Sequence, residues 1–555
     1  MPFFNYFKLT VLFIFTGTSI HNYARKPAAT PVDLTTQLAN MTLSEKIGQL
    51  LIVHFHGTTA NAAARCAVQE LAVGGIIYYN WANDLSNPAQ VQALGADLQQ
   101  LAQQTRHKIP LLIAADQEGG LVERCPITKF PGNKALGLTQ QPALAAASAQ
   151  AIGSELAVLN VNTNLAPVVD VNNPGNPVIG IRAFGDQPEL VTTYAQAALA
   201  GYHAAGIITT LKHFPGHGDT LTDSHYDQPV VNKTLAELEK VDLYPFAQLA
   251  AQTDMIMTAH INVPALDPAH CSTLSRKTLD YLRQQIGFQG VVITDSLVMA
   301  GVLKPVDGVV AEAAIQALAA GHDLVLLGGA QLHGADITKE LTLADVAQIK
   351  AAIMAAVESG RLSLTQIDQS VARVLKLKQQ YLTQVPQRAK LENLINTPLH
   401  RALAVEIAQT ALLAHNQAQH TKFMARPFAE QNVLIVAPQL LQPTLAQTEL
   451  AHLGRTTTVW TFSGLNPSAT EIATAQAQAQ TADTVLVCAY NAWKNAQQQQ
   501  LIKTLAATKP TIMVATRDPQ DLKLALPAKL SLATGSPTVP ALQAVYRHLQ
   551  AIKAN

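Results

Sequence analysis

The segment from residue 212 to residue 225 holds the densest group of reactive side chains in the sequence. Asp223 and His225 lie two positions apart in a stretch rich in glycine and small polar residues. A carboxylate at this spacing can fix the tautomer and charge of an imidazole, and the unperturbed histidine pKa of ~6.5 suits proton transfer near neutral pH. The pair therefore indicates a general acid/base carried by a loop.

Two other interpretations of this segment stay open on spacing alone. One is a metal-dependent hydrolase, because histidine and aspartate are common ligands of zinc and other transition metals. The other is a loop whose side chains only pair with and cap one another. The residues concerned are His213, His217, Asp219, Asp223 and His225.

Further ionisable residues follow other β-rich runs of the sequence. Such groups are costly to bury beside apolar strands unless they are paired or used in function. Asp295 follows the run 291–294 directly, and taken alone it reads more readily as the N-cap of the next helix. The others are Asp116, Arg124, Asp170, Arg182, Lys212, His213 and His260.

Together these side chains suit a ligand with many hydroxyl groups, because carboxylates accept and guanidinium groups donate hydrogen bonds in forked geometries. Cleavage of a glycoside needs a carboxylate to trap the developing oxocarbenium ion and an acid to protonate the leaving oxygen. Asp295, at the end of a rigid strand, fits the first role. His225 with Asp223 fits the second.

The elements that must position these residues alternate along the first part of the chain. β-rich runs and segments with apolar residues at helical spacing predict a (β/α)8 barrel, which builds its site at the carboxyl ends of its strands. A doubly wound open sheet also alternates, but the barrel is favoured because ionisable residues follow so many strands. The runs are 47–53, 75–79, 110–115, 161–169, 208–212, 255–259, 291–294 and 323–327, and helical segments include 88–104, 143–159, 189–205, 235–251, 275–286 and 309–320.

A second alternating segment predicts a smaller α/β sandwich behind the barrel. The helical patterns 343–359 and 364–381 end the first domain, and a polar stretch then reads as a linker. We divide the chain into an N-terminal segment 1–30, a catalytic barrel 31–385, a linker 386–400 and a C-terminal sandwich 401–555. The strands predicted in the sandwich are 432–437, 456–462, 484–489, 511–515 and 530–533.

Bulk composition narrows the class of protein. The chain has 555 residues, 48% hydrophobic and 14% charged, with zero formal net charge, which excludes a disordered protein. No block of like charges suggests a polyanion, so no nucleic-acid partner is expected. The cysteines form no C-x-x-C pair, and four unpaired thiols are favoured over a disulfide such as Cys66–Cys125. They are Cys66, Cys125, Cys271 and Cys488.

The first 30 residues resemble a signal peptide. Lys8 precedes a short apolar run, 9–20, that Thr and Gly interrupt. The run is short for a membrane span, and an uncleaved N-terminal anchor is the alternative. We expect an extracytoplasmic protein, periplasmic or secreted, with no stable transmembrane span beyond this segment.

Lys-His-Phe-Pro-Gly-His-Gly at 212–218 is followed, after four residues, by Asp-Ser-His at 223–225. This long motif resembles the signature of glycoside hydrolase family 3, and more narrowly of its β-N-acetylglucosaminidase (β-hexosaminidase) branch. The resemblance runs from about residue 43 to residue 381. It includes Asp-Gln-Glu-Gly-Gly at 116–120, Gly-Ile-Arg at 180–182 and Gly-Val-Val-Ile-Thr-Asp at 290–295.

The resemblance implies a role for each candidate residue. Asp295 matches the nucleophile that forms a glycosyl-enzyme ester, His225 the general acid/base and Asp223 its partner. The family uses no metal and no organic cofactor, so neither is expected. The positions that bind the sugar hydroxyls and the N-acetyl group are matched by Asp116, Arg124, Arg182, Lys212 and His213, with a weaker match at His260.

The resemblance also implies an activity. It is retaining hydrolysis of terminal non-reducing N-acetyl-β-D-glucosamine residues, on peptidoglycan-derived fragments. Chitooligosaccharide hydrolysis, a broader β-glycosidase and a phosphorylase of the same family are alternatives. A metal-dependent hydrolase and a catalytically silent sugar-binding protein are rivals from other classes. Leu121, where many relatives carry Arg, and the residues flanking Asp295 depart from the common pattern and leave subsite preference open.

Overall fold

A computed structural model of the chain describes residues 33–333, 338–382, 390–415, 426–524 and 526–552. The predicted signal segment, residues 1–30, and part of the predicted linker lie outside the described residues. Among the helices in the described ranges, none combines the length and the apolar character needed to cross a membrane.

Eight parallel strands form a closed barrel in sequence order, which confirms the (β/α)8 prediction over the open sheet. Closure is direct, because Leu51, Ile52 and Val53 of the first strand pair with 325–327 of the last. The strands are β1 (Leu51–Val53), β2 (Gly75–Ile77), β3 (Leu112–Ala115), β4 (Thr163–Asn164), β5 (Ile208–Phe214), β6 (Met255–Thr258), β7 (Val291–Ser296) and β8 (Leu324–Leu327).

Helices surround the barrel, and several begin at side-chain caps that the sequence supplies. Thr42, Thr234 and Thr342 each form a capping box with an acidic residue three positions later. The α-helices of this part of the chain are Leu34–Ala39, Leu43–Gln49, Ala62–Arg65, Asn80–Asn83, Pro88–Gln103, Asn133–Leu138, Pro142–Val158, Pro188–Ala204, Leu235–Lys240, Tyr244–Leu249, Arg276–Asp280, Ala300–Leu303, Val310–Ala320, Leu343–Glu358 and Leu364–Tyr381.

Three predicted elements differ most from the structure. The run 161–169 is a strand only at Thr163–Asn164. The run 47–53 is a strand only from Leu51, because the capping box at Thr42 starts a helix that continues through Gln49. The single helix predicted over 235–251 is divided after Lys240. The division occurs where Asp242 turns inward, almost fully buried, to bind Lys233 at 2.7 Å.

Apolar side chains fill the inside of the barrel. Ile52, Leu112, Met255, Ile293 and Leu324 meet across its centre and are almost fully buried. A (β/α)8 barrel is a packed core rather than a pore, so its polar chemistry is confined to the rim.

The second domain is a six-stranded sheet with apolar clusters on both faces, as predicted for an α/β sandwich. Its order is β11-β10-β12-β13-β14-β9, and β9, which the sequence analysis missed, is an antiparallel edge strand. The strands are β9 (Leu413–His415), β10 (Asn432–Pro438), β11 (Thr456–Phe462), β12 (Thr484–Ala489), β13 (Thr511–Ala515) and β14 (Leu530–Ala533), and the α-helices of this part of the chain are Pro398–Ala411, Gln442–Leu445, Ala469–Ala479, Ala496–Thr508 and Val539–Ala551.

Polar contacts join the second domain and its connection to the barrel. The buried carboxylate of Glu155 accepts hydrogen bonds from Thr128 of the barrel and from the Asn396 backbone, and it pairs with His400 Nδ1 at 2.6 Å. Lys494 Nζ donates to the Gly175 carbonyl oxygen in the loop that follows β4. The second domain therefore flanks the mouth of the barrel. All four cysteines are unpaired, as favoured from their spacing.

Candidate active site

The predicted site residues gather at one end of the barrel. Asp116 follows β3, Lys212 and His213 end β5, and Asp295 is the penultimate residue of β7. Because all eight strands are parallel, their carboxyl ends open on the same side of the fold. A register shift in β5 between Lys212 and Phe214 marks the position where that strand turns its side chains toward the mouth.

A buried ion-pair cluster forms the floor of the site. Arg182 donates from Nε and Nη2 to the two carboxylate oxygens of Glu118, at 2.9 and 2.8 Å. Lys212 Nζ lies 2.8 Å from both Asp116 Oδ1 and Glu118 Oε1. Burial opposes ionisation of Glu118, but Arg182 and Lys212 outweigh it and hold the pKa of that carboxyl well below its ordinary value. The cluster is therefore charged and fixed.

Asp116 is the member of this cluster that faces the mouth. Its side chain is 20% exposed, whereas those of Lys212 and Glu118 are almost fully buried. Burial would lower the pKa of Lys212, yet the two carboxylates raise it above its ordinary value. The ammonium group thus stays charged beside the most accessible carboxylate.

Asp170 organises the turn that follows β5. His213 Nδ1 lies 2.7 Å from Asp170 Oδ2, and the backbone N–H groups of His213 and His217 donate to Asp170 Oδ1. A carboxylate only accepts, so His213 Nδ1 carries a proton, and His213 Nε2 lies 3.4 Å from Arg182 Nη2. Burial opposes ionisation of Asp170, but its pKa is lowered because the His213 and His217 groups outweigh it.

Asp295 is half-buried at the end of β7. Its Oδ1 accepts a hydrogen bond from the backbone N–H of Ser296 at 2.7 Å. Burial would raise the pKa of the carboxyl, but the imidazoles of His260, His213 and His225 outweigh it, and the pKa lies below its ordinary value. Asp295 is therefore an ionised carboxylate near neutral pH.

His260 lies beneath this strand end and is fully buried. Its Nε2 is 2.8 Å from the Ser296 carbonyl oxygen, and its Nδ1 is 2.8 Å from Thr273 Oγ1. Burial lowers the pKa of His260 below its ordinary value. With both nitrogens engaged, His260 fixes the residue that follows Asp295.

The loop after β5 brings His225 to the end of β7. His225 Nδ1 and the His225 backbone N–H lie 2.7 and 2.9 Å from Asp223 Oδ1. The loop's carbonyl groups at Ser224 and His225 accept hydrogen bonds from Gly301 and Ala300, in the short helix that follows Asp295. Nδ1 is committed to Asp223, so Nε2 is the nitrogen available for proton transfer.

The His225 pair is charged but accessible. Its side chains are 47% exposed for His225 and 31% exposed for Asp223. The hydrogen bond that His225 donates to Asp223 raises the pKa of His225 more than burial lowers it, and the charge of Asp295 raises it further. His225 is thus suited to hold a proton that a neighbouring carboxylate stabilises.

The root of this loop is rigid. His217 Nε2 lies 2.8 Å from Ser224 Oγ, and burial lowers the pKa of His217 to about 4, so this ring is a neutral strut. A Cβ atom on Gly218 would come within 1.9 Å of the Val171 carbonyl oxygen, so only glycine fits there. Asp219 turns to Lys233 at 2.8 Å. Of the five residues named as alternative metal ligands, Asp223 and His225 thus pair with each other, and the other three bind Asp170, Ser224 and Lys233.

Arg124 differs from the other cations of the site. It is half-buried, and within the described part of the chain its guanidinium group forms no ion pair. Gln117 Oε1 accepts a hydrogen bond from its backbone N–H at 2.8 Å, which fixes the segment.

The family model described as "Glycosyl hydrolase family 3 N terminal domain" matches residues 42–377. The chain belongs to glycosyl hydrolase family 3. This confirms the resemblance drawn from the motif at 212–225, and the chain is a glycoside hydrolase. The model ends near the last barrel helix, Leu364–Tyr381.

Relatives extend the similarity beyond the barrel. "Beta-hexosaminidase A" of Pseudoalteromonas piscicida is 36% identical over 427 residues, 69% of each chain. "Beta-hexosaminidase" of Xylella fastidiosa is 38% identical over 288 residues, 50% of this chain and 83% of that one. A family 3 β-N-acetylglucosaminidase structure from Paenibacillus sp. superposes with a TM-score of 0.80 at 34% identity, covering 93% of this chain and 98% of that one.

Three residues of this family 3 site, Glu118, Tyr79 and Trp81, were not predicted from the sequence. Glu118, which joins Arg182 to Lys212, stands two positions after Asp116 in the Asp-Gln-Glu-Gly-Gly motif at 116–120. Tyr79 and Trp81 follow β2 and stack with ring centroids 5.1 Å apart. Tyr79 lies close enough to Asp116 and Asp295 for their charges to raise its pKa beyond the effect of burial. Aromatic residues after a strand end were the available signal.

Proposed function

We propose that the protein hydrolyses terminal non-reducing N-acetyl-β-D-glucosamine residues by a retaining double displacement. The observation that carries this proposal is that the His225 loop lies beside the strand end bearing Asp295, close enough for the charge of Asp295 to raise the pKa of His225. The hydrogen bonds from Ala300 and Gly301 hold the His225 loop beside the strand end that bears Asp295. A carboxylate nucleophile and a proton donor are the two groups that the reaction requires.

The geometry supports a two-step reaction. In the first step His225 Nε2 gives its proton to the glycosidic oxygen while an Asp295 oxygen bonds to the anomeric carbon, and the C–O bond to the leaving sugar breaks. In the second step neutral His225 takes a proton from water, whose oxygen displaces Asp295 from the same carbon. Two inversions at that carbon retain the β configuration.

The pKa shifts agree with these roles. The nucleophile must be ionised, and the pKa of Asp295 is lowered from 3.8. The acid must be protonated, and the pKa of His225 is raised from 6.5. Both groups are thus in the required protonation state in the range between those two values.

The charged floor of the site is suited to bind the sugar. Asp116 and Lys212 are suited to bind ring hydroxyls, and Arg182 with His213 closes the same wall. Arg124, whose guanidinium group forms no ion pair with the described residues, is suited to the carbonyl oxygen of the N-acetyl group. The names of the relatives, β-hexosaminidase and β-N-acetylglucosaminidase, support a preference for N-acetylated sugars.

We propose peptidoglycan-derived fragments as the natural substrate, met in an extracytoplasmic compartment. Chitooligosaccharides are the second candidate, favoured by the stacked Tyr79 and by Trp81, which is half exposed at the mouth. Aromatic faces at a cleft entrance stack on successive sugar rings.

A panel of 4-nitrophenyl glycosides tests the activity. We expect the N-acetyl-β-glucosaminide to be cleaved with a kcat/KM at least about 100-fold above that of the β-glucoside, since a site that hydrogen-bonds a substrate amide rejects an analogue lacking it. Equal rates would contradict the proposed preference. Rates on N-acetylglucosaminyl-anhydromuramyl peptide and on chitobiose, each with and without phosphate, then separate the two natural substrates and the phosphorylase alternative.

A further inference from the structure

Three ligand groups meet at the mouth of the barrel on the side away from β5. His54 and His56 directly follow β1, and Glu340 lies in the segment that returns after β8. One ligand atom from each of the three lies within 4.8 Å of the others, and His56 Nε2 is 2.5 Å from Glu340 Oε2. None of these residues has a part in the reaction proposed above.

The buried member of the group has an unsatisfied nitrogen. His54 is only 3% exposed, and its Nδ1 has no hydrogen-bond partner among the described residues. Buried polar atoms in folded proteins nearly always have a partner, so an orphan of this kind calls for an explanation.

The backbone that carries the two histidines is held from several directions. Asn83 Nδ2 donates to the carbonyl oxygens of Phe55 and Gly57, at 3.0 and 3.1 Å. Asn61 Nδ2 donates to the His56 carbonyl oxygen at 2.9 Å. Glu340 is fixed by an antiparallel bridge to Ala330. Rigid support of this kind is what a metal site needs from the residues around its ligands.

We propose that His54, His56 and Glu340 bind one divalent transition-metal ion, such as Zn²⁺. Two imidazoles and one carboxylate suit zinc better than calcium or magnesium, which prefer all-oxygen ligands. Ligand bonds of about 2.0–2.2 Å need only small side-chain movements from the present separations. Three protein ligands leave a fourth position for water or for a ligand in the cleft.

Such an ion would connect the segment after β1 with the segment after β8, beside the stacked rings of Tyr79 and Trp81. The rings of His54 and His56 lie 5.1 and 5.5 Å from that of Trp81, which stacks on Tyr79. Metal occupancy would thus fix one wall of the cleft. This proposal departs from the expectation of no metal, and it does not rest on the proposed activity.

Metal binding to the full chain tests the site. Protein treated with a chelator is dialysed against Zn²⁺, and bound metal is counted by mass spectrometry, while Co²⁺ reports coordination through its visible absorption. We expect one ion per chain and quenching of Trp81 fluorescence by Co²⁺. His56→Asn and Glu340→Gln should each weaken binding by roughly tenfold or more. Both side chains are exposed at the surface, at 58% and 42%, so neither change should unfold the protein.

His270→Asn is the matched control, because His270 is a similarly exposed histidine paired with a carboxylate, Asp267. It should bind metal like the unaltered protein. Failure to bind one ion per chain would overturn the proposal. So would binding that is unchanged in His56→Asn and Glu340→Gln, or that is lost instead in His225→Asn.

Discussion

The floor of the site and the loop above it are built in opposite ways. Glu118 and Lys212 are almost fully buried, Arg182 is 16% exposed, and each of the three is paired with charged partners from other strand ends. Asp223 and His225 are partly exposed and rely on each other and on two backbone hydrogen bonds to the segment after β7. The group that binds the sugar is thus preorganised, whereas the group that moves the proton is free to adjust.

The difference indicates that the floor contributes selection of the sugar and the loop contributes proton transfer. A fixed charged floor selects the sugar without reorganising, because its dipoles are already oriented when the substrate arrives. An exposed acid/base can reach leaving groups of different size and admit water after the first step. Changes in the floor should therefore affect folding and binding together, and changes in the loop should affect proton transfer alone.

The largest effect on activity is expected at Asp295, at the end of the rigid strand β7. Asp295→Ala removes the nucleophile, and kcat on an aryl N-acetyl-β-glucosaminide should fall by about 10⁴-fold or more. Stability should change little, because the carboxylate is half-buried and its hydrogen bond is to the adjacent Ser296. Steady-state kinetics with a thermal melt as control measures this, and wild-type turnover would remove Asp295 from its role.

A smaller effect, dependent on the leaving group, is expected in the loop. His225→Ala should reduce kcat/KM by about 10²–10⁴-fold on substrates with poor leaving groups, which need protonation. The loss should be much smaller on 4-nitrophenyl or 2,4-dinitrophenyl glycosides. A series of aryl glycosides of graded leaving-group pKa makes the comparison, and an equal loss across it would argue against acid catalysis.

Removing one charge from the buried floor should lower the stability of the protein. Glu118→Gln leaves Arg182 and Lys212 without their shared counter-charge, and we expect the free energy of unfolding to fall by about 3–5 kcal/mol. Glu312→Gln is the matched control, since it breaks the exposed Glu312–Arg361 pair. Urea denaturation of both variants decides the point. Equal small losses would show that the floor is not stabilised as described.

The smallest expected effect is a shift in pH dependence. His225 must be protonated, so kcat/KM falls as the pH rises through its pKa, which Asp223 raises. In Asp223→Asn that pKa drops, and the alkaline limb should move to lower pH while the acidic limb, set by Asp295, stays in place. A profile of kcat/KM against pH on one aryl substrate measures both limbs. An alkaline limb that does not move would contradict the proposal that Asp223 raises the pKa of His225.

The sequence carried most of the fold because its signals were local. Four strands of the second domain, β11 to β14, have the bounds that their β-rich runs predict. The errors arose where a local signal was read incompletely. The capping box at Thr42 and Glu45 outweighed an apolar run, and the three-residue β9 is too short to leave a pattern.

The candidate site was predictable as a set of residues but not as a network. The sequence alone does not reveal that Glu118 joins Arg182 to Lys212, since these positions are distant in the chain and the pairing depends on the barrel's closure. It also does not reveal that His217 is a buried strut while His225 is exposed, although both are histidines of one motif. Burial and long-range pairing decide such roles.

Covalent trapping tests the central claim most directly. A 5-fluoro derivative of an N-acetylglucosaminyl donor slows the second step and should leave a sugar ester on the peptide that contains Asp295, visible as a mass increase after digestion. The account predicts that adduct, and its absence in Asp295→Ala. An adduct on a different residue, or turnover with inverted configuration at the anomeric carbon, would contradict it.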